Sequence, residues 1–252
     1  VYRPLILDKE EFIAKKVREK SGELKILGLL NTMKLKSDHV IPLIDSFDGW
    51  AILPKMIALK GYVENGPERL ESKVVQVCLG LIKGVAYLHE CRIAHRDIKP
   101  DNLVIDRDFS LKIIDFDVAM RVKDKDEEAD DQCGTVHWMA PEVEKNMRHS
   151  PIRADRWACG RVLLYLLGRC RTEDERLEAF ARKLSDDDPK LRPSLLEWCS
   201  SAPSALAFSD VRNTFSDSRK ASKPRQDQME GDGEGTKPPN AKKLRLDRKM
   251  FR

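Results

Sequence analysis

His95-Arg96-Asp97-Ile98-Lys99-Pro100-Asp101-Asn102 places a carboxylate, an ammonium and a carboxamide within six residues. Thirteen residues beyond Asn102, the run Ile113-Ile114-Asp115-Phe116-Asp117 adds a second carboxylate at the end of an apolar stretch. A carboxylate can hold a hydroxyl for attack, an ammonium can neutralise charge on a moving phosphate, and a carboxamide with a carboxylate supplies hard oxygens for a hard cation. The octapeptide follows an amphipathic segment, 72–91, in which Val74, Val77, Cys78, Leu81, Ile82, Val85 and Leu88 recur at helical spacing.

Working outward, residues 1–17 read as two strands around the polar turn 8–11, and 21–33 as a helix with Ser21 as N-cap and Leu24, Ile26, Leu27 and Leu30 apolar. Val40–Ile44 and Trp50–Leu53 flank Asp48-Gly49, which predicts a hairpin, and Pro54 ends it. Leu103-Val104-Ile105 and Leu111–Ile114 bracket a second hairpin turn at 106–108. Helices are predicted at 154–169 and 173–184. The order implies an α+β chain, a small β-rich part before a mainly helical one, with the chemistry just past the junction.

The net charge of +4 is unevenly placed. Residues 219–252 carry eleven Lys/Arg against five Asp/Glu, which is +6 and leaves −2 for the rest, so the globular part has no polyanion-binding bias. The composition of 203–252 predicts a disordered basic tail. Its Lys237–Leu246 segment resembles a nuclear import signal, and the lack of stacking aromatics argues against a dedicated nucleic-acid module. Six scattered cysteines without a CxxC pair fit reduced thiols in an intracellular protein, cytoplasmic or nuclear. No apolar run approaches the roughly 20 residues a membrane span needs, which argues against membrane insertion.

The ordered motifs over about residues 1–200 resemble the eukaryotic protein kinase superfamily, serine/threonine type, with a narrower likeness to kinase-like proteins of mushroom-forming fungi. The resemblance implies a bilobal fold: a partial N-lobe at 1–56, lacking the first strand and the glycine-rich loop, and a helical C-lobe at 57–202. It implies ATP and Mg2+ as cofactors and a Ser/Thr hydroxyl of a protein as substrate; it leaves the oligomeric state open. Asp97 and Lys99 are the implied catalytic residues, and Asn102 and Asp115 the implied magnesium ligands. Val1, which matches the valine after the glycine-rich loop, and Ala14 are expected against the nucleotide. Ala14-Lys15-Lys16 resembles the Ala-x-Lys of a kinase strand, which makes Lys16 the phosphate clamp and Glu23 its partner; Lys15 competes for the role, and strand alternation puts Ala14 and Lys16 on one face. His95 and Arg96 are expected to be scaffold. Thr135 of Gly134-Thr135 matches the residue whose hydroxyl meets the catalytic aspartate, Glu142 of Ala140-Pro141-Glu142 is expected to pair with Arg192, and Asp155 to hold the catalytic loop backbone.

Three departures accompany the likeness. The sequence starts where the glycine-rich loop would just have ended, which is expected of a truncated record. Asp117 replaces the glycine that follows Asp-Phe. Between Phe116 and Gly134 there is no Ser, Thr or Tyr, and 124–131 is acidic, so one of these carboxylates is expected to meet Arg96 in place of a phosphate. The rival to an active kinase is a pseudokinase or interaction scaffold. A small-molecule phosphotransferase is disfavoured by Lys99 and by the segment around Thr135.

Overall fold

The computed structural model describes residues 2–7 and 10–201. Val1 and the tail from 202 onward lie outside them, and so do the expectations placed on Val1, the basic tail and its import-like segment.

The chain opens with strands β1 (Tyr2–Leu7) and β2 (Glu10–Lys16), helix α1 (Glu23–Thr32), and strands β3 (Asp45–Phe47) and β4 (Trp50–Pro54). These strands form one antiparallel sheet in the order β1-β2-β4-β3. Asp48 and Gly49 both take positive φ, 47° and 75°, which the two-residue turn between β3 and β4 demands. The sheet is apolar on both faces. Leu5, Phe12, Ala14, Phe47, Trp50 and Ile52 close one small core, whereas Val17, Ala51 and Leu53 join Ile26, Leu27 and Leu30 of α1 in the main core.

Residues 40–44 do not form the predicted strand. Val40 makes a single parallel bridge to Ile113, and the Ile41 amide donates to the Ile113 carbonyl at 3.0 Å. Pro42 then has no N–H to continue the pairing.

The second part is built on α3 (Val74–Glu90) and α5 (Pro151–Arg169). The inward stripe of α3, Val74, Val77, Cys78, Leu81, Ile82, Val85 and Leu88, is fully buried. Each such aliphatic side chain contributes about 1.5–3 kcal/mol by leaving water. Helix α5 starts at Pro151 with Ser150 as N-cap, whose hydroxyl accepts the Arg153 amide at 3.4 Å. Helix α6 (Glu175–Leu184) crosses it closely at Gly160, where a Cβ would lie 2.6 Å from the Ala181 carbonyl oxygen. Helix α7 (Leu195–Ser201) packs on α3.

Short elements not foreseen from sequence frame the loops: β5 (Ile57–Ala58), α2 (Leu59–Asn65), β6 (Ile93–Ala94), β9 (Met120–Arg121) and α4 (Pro141–Glu144). β5 pairs with β7 (Leu103–Ile105), which pairs with β8 (Leu111–Ile113), and β6 pairs with β9. The β6–β9 pair brackets the two motif-bearing loops: His95–Asn102 follows β6, and Asp115–Asp117 lies between β8 and β9. No helix among the described residues is long and apolar enough to cross a membrane.

Candidate active site

The loop after β6 is shaped from below by Asp155 of α5, a carboxylate 1% exposed. Its Oδ2 accepts the His95 amide at 2.7 Å and its Oδ1 the Arg96 amide at 2.8 Å. His89 Nε2 of α3 lies 3.2 Å from the same Oδ2, and burial lowers the His89 pKa, which favours the neutral ring. Arg96 takes a positive φ of 69°, so two amides held by one carboxylate stabilise a backbone turn that a side chain ordinarily resists. His95, fully buried, sets its Nε2 3.0 Å from the Ile114 carbonyl and its ring 4.9 Å from that of Phe116. The Ile114 amide donates to the Asn102 carbonyl at 3.0 Å. These bonds lock the loop 95–102 to the strand end that carries Asp115.

On this frame the predicted side chains converge. Asp97 Oδ1 accepts the Thr135 hydroxyl at 2.7 Å, and Oδ2 accepts the Lys99 ammonium at 2.7 Å. Lys99 also donates to Thr135 Oγ1 at 2.6 Å. Asn102 Nδ2 donates to the Asp97 carbonyl at 2.8 Å and to its Oδ2 at 3.0 Å. Thr135 can approach because Gly134 takes φ 116°, and a Cβ there would stand 2.8 Å from the Arg96 carbonyl oxygen.

The lysine expectation is corrected. Lys15 reaches Glu23, with Nζ 2.7 Å from Oε2, and also lies 2.7 Å from Asp115 Oδ1. Lys16 is exposed, donates to the Asp48 carbonyl at 2.7 Å and sits 5.4 Å from the Trp50 ring centre. Ala14 does share a face with Lys16, as alternation requires, but that face packs on Trp50 and Phe47, away from α1. Ala14, expected against the nucleotide, therefore faces the other side of the sheet from Lys15, Glu23 and Asp115. The opposite face carries Ile13, Lys15 and Val17, and Val17 belongs to the same core as α1. The apolar Ile13 and Val17 flanking Lys15 were the signal available in the sequence, but Phe12 and Ala14 are apolar too, so alternation alone could not choose the side.

Burial alone would lower the Lys15 pKa, but hydrogen bonds to Asp115 and Glu23 outweigh it and the net shift is upward. Burial pushes the Asp115 carboxyl up, and Lys15 more than reverses this, leaving it below the ordinary range. At Glu23, 1% exposed, burial wins over Lys15 and the carboxyl is raised. Glu23 Oε1 also accepts the Phe116 amide at 3.3 Å. Asp115 takes φ 65°, one of the left-handed backbone positions that local partners hold in place.

Asp117, the departure from glycine, has no positive φ, so its Cβ imposes no strain. Its carboxylate joins the cluster: ligand atoms of Glu23, Asp115 and Asp117 lie within 4.8 Å of one another around Lys15. Arg96 meets the acidic loop at Asp131 through a short ion pair, and Arg96 holds the Asp131 carboxyl below its usual range. Arg153–Asp126 at 2.8 Å and Arg148–Glu128 at 2.8 Å pin the same loop, as does the pairing of Ala129 with His149. Arg192, its side chain fully buried, forms the expected bidentate pair with Glu142 at 2.6 and 2.8 Å.

Residues 7–186 match the model of the protein kinase domain. The chain belongs to the protein kinase family. This kinase-family chain is 29% identical over 185 residues to serine/threonine-protein kinase CLA4 of Candida albicans, an overlap covering 69% of this chain and 19% of that one. It is 44% identical over 89 residues to serine/threonine-protein kinase grp of Drosophila melanogaster, covering 34% and 17%. Identity to CBL-interacting serine/threonine-protein kinase 5 of Arabidopsis thaliana is 39% over 116 residues, covering 45% and 26%. The overlaps thus span about a sixth to a quarter of these relatives. Protein kinases as a family use ATP and Mg2+, and the donor set here fits both. Asp115 is anionic, Asn102 commits its amide nitrogen to Asp97 and so leaves an oxygen as its remaining polar end, and Lys15 supplies a buried cation.

Proposed function

We propose that this protein is an ATP-dependent serine/threonine kinase that transfers the γ-phosphoryl group to a protein hydroxyl. The observation that carries the reading is the Asp97 carboxylate, held at once by Thr135, Lys99 and Asn102. In this reading Asp97 orients the substrate hydroxyl and takes its proton. Oδ1 has capacity for that hydroxyl, because Oδ2 carries both Lys99 and Asn102. Lys99 neutralises charge on the phosphoryl group in transit. Lys15, in place of the expected Lys16, holds the nucleotide phosphates, with Glu23 keeping it charged and aimed. Asn102 and Asp115 would hold magnesium, which offsets phosphate charge when bound. Thr135 places the hydroxyl-bearing segment by fixing Asp97.

The Arg96–Asp131 pair supports a second feature of the same reading: activity that does not wait for phosphorylation of the loop. Arg96 adjoins Asp97, and its charge is already met by a carboxylate of residues 118–133, where no Ser, Thr or Tyr exists. The decisive test is magnesium-dependent transfer of phosphate from ATP to serine/threonine protein substrates, with Asp97→Asn as control. Transfer by the parent and its loss in the variant support the reading. Equal rates overturn it, and nucleotide binding without transfer would make the chain an interaction scaffold.

A further inference from the structure

One hydroxyl ties the two halves of the proposed nucleotide site together. Ser21, two residues before Glu23, donates from Oγ to Asp117 Oδ1 at 3.1 Å and lies 3.3 Å from the Asp117 carbonyl oxygen. The same Oγ accepts the Glu23 amide at 3.0 Å. The Asp117 side chain is 15% exposed, and its Oδ1 lies 3.7 Å from Lys15 Nζ. Its Oδ2 lies 3.3 Å from Arg18 Nε, a contact of little weight because Arg18 is 81% exposed. Asp117, Ser21, Glu23 and Lys15 thus form a closed ring of polar contacts, with Asp115 on Lys15 and the Phe116 amide on Glu23 as further ties.

We propose that Asp117 is a positioning residue for nucleotide binding: through Ser21 it fixes the start of α1 on the segment after β8, so Lys15, Glu23 and Asp115 stand assembled before nucleotide arrives. This rests on the nucleotide reading of the site given above. Glycine at 117 would leave the Ser21 hydroxyl only the longer contact to the residue-117 carbonyl and loosen the start of α1, so each binding event would carry part of the cost of reordering. Asparagine keeps an oxygen that accepts from Ser21 and loses the charge.

The test compares Asp117→Gly, Ser21→Ala, their double variant and Asp117→Asn by calorimetry with Mg-ADP, and by hydrogen exchange at the amides of 23–27. Loss of one hydrogen bond to a carboxylate predicts a roughly tenfold weaker Kd in Asp117→Gly, with a comparable loss in Ser21→Ala. The double variant should be no weaker than Asp117→Gly, Asp117→Asn should recover most of the affinity, and exchange at 23–27 should quicken in step. In steady-state assays the KM for ATP should rise more than kcat falls, a split that a general loss of fold would not give. Affinities within about twofold of the parent, or additive losses in the double variant, would overturn the proposal. If neither parent nor variants bind Mg-ADP, the nucleotide reading itself fails. The Asp117–Ser21 contact is then judged on exchange, and unchanged protection at 23–27 in Ser21→Ala overturns its role even where Asp117→Gly does not fold.

Discussion

Replacing Lys15 with methionine keeps the length and apolar stem of the side chain and removes its charge. The Lys15 side chain is 8% exposed and Glu23 is 1% exposed, so the change strands a carboxylate that water cannot reach. Removing one partner of a buried pair costs about 3–5 kcal/mol, which lowers the melting temperature of a domain this size by about 6–20 °C. Asp115 adds less, because its side chain is 30% exposed and regains solvent. The penalty depends on pH with a definite sign. The Glu23 carboxyl is already raised by burial, and without Lys15 it rises further. A carboxyl raised in the folded state stabilises below its unfolded pKa and loses that contribution as pH rises through the folded value. The Lys15→Met penalty should therefore shrink as the pH falls from 7 toward 5. The double variant Lys15→Met/Glu23→Leu should recover much of the stability, since an apolar pair needs no solvation, yet should not bind Mg-ADP. Lys16→Met removes an exposed bond and a contact over Trp50, together about 1 kcal/mol or less, and should retain nucleotide binding. Thermal melts from pH 5 to 8, paired with calorimetry, read all four outcomes. Equal destabilisation by the two single variants, or nucleotide loss confined to Lys16→Met, would refute the assignment of Lys15.

Glu142→Gln should cost about 3–5 kcal/mol in chemical denaturation, because it leaves the Arg192 guanidinium buried without a counter-charge. Gly134→Ala should lose about 1–3 kcal/mol through its φ of 116° and the clash with the Arg96 carbonyl, and should lower kcat by moving Thr135 from Asp97. Asp131→Ala should reduce phosphate transfer several-fold without any phosphatase sensitivity arising from residues 118–133; unchanged transfer would show that the Arg96 pair plays no part. The Arg96-lowered Asp131 carboxyl keeps this pair intact above the ordinary aspartate pKa, and protonation breaks it as the pH falls through the lowered value. A thiol reagent at pH 8 should label the half-buried Cys133 ahead of the buried Cys78, Cys91, Cys159 and Cys170; burial pushes all five thiols up, to about 11 at Cys91, so access sets the order. Mass mapping of partial labelling would decide it.

Long periodic segments were legible because they bury a repeating face. The helix predicted at 72–91 is Val74–Glu90, and the hairpin at Asp48-Gly49 was written in two residues that tolerate positive φ. The two-residue strands β6 and β9 were not, since they expose no period. In the site, Asp97, Lys99, Asn102 and Thr135 converge as the motifs implied, and Glu142 meets Arg192. The choice between Lys15 and Lys16 failed because a strand buried on both faces gives its alternation without its orientation. Ser21 read as an N-cap, but Gly22 takes that position, and the Ser21 hydroxyl accepts the Glu23 amide from one residue earlier. Its other partner, Asp117, is 96 residues away, a distance no local window spans.

The buried Asp155 divides the site mechanically. By holding the amides of His95 and Arg96, it fastens the octapeptide to α5, and Lys99 and Asp97 tie Thr135 to the same helix. Lys15 and Glu23 ride instead with the first sheet and α1. The two parts share one apolar core, and within the site they also meet at Asp115, Phe116 and Asp117, where three consecutive residues each grip a group of the first part. A change at any of the three therefore alters the placement of Lys15 and Glu23 relative to Asp97 and Lys99 without touching either pair's own loop.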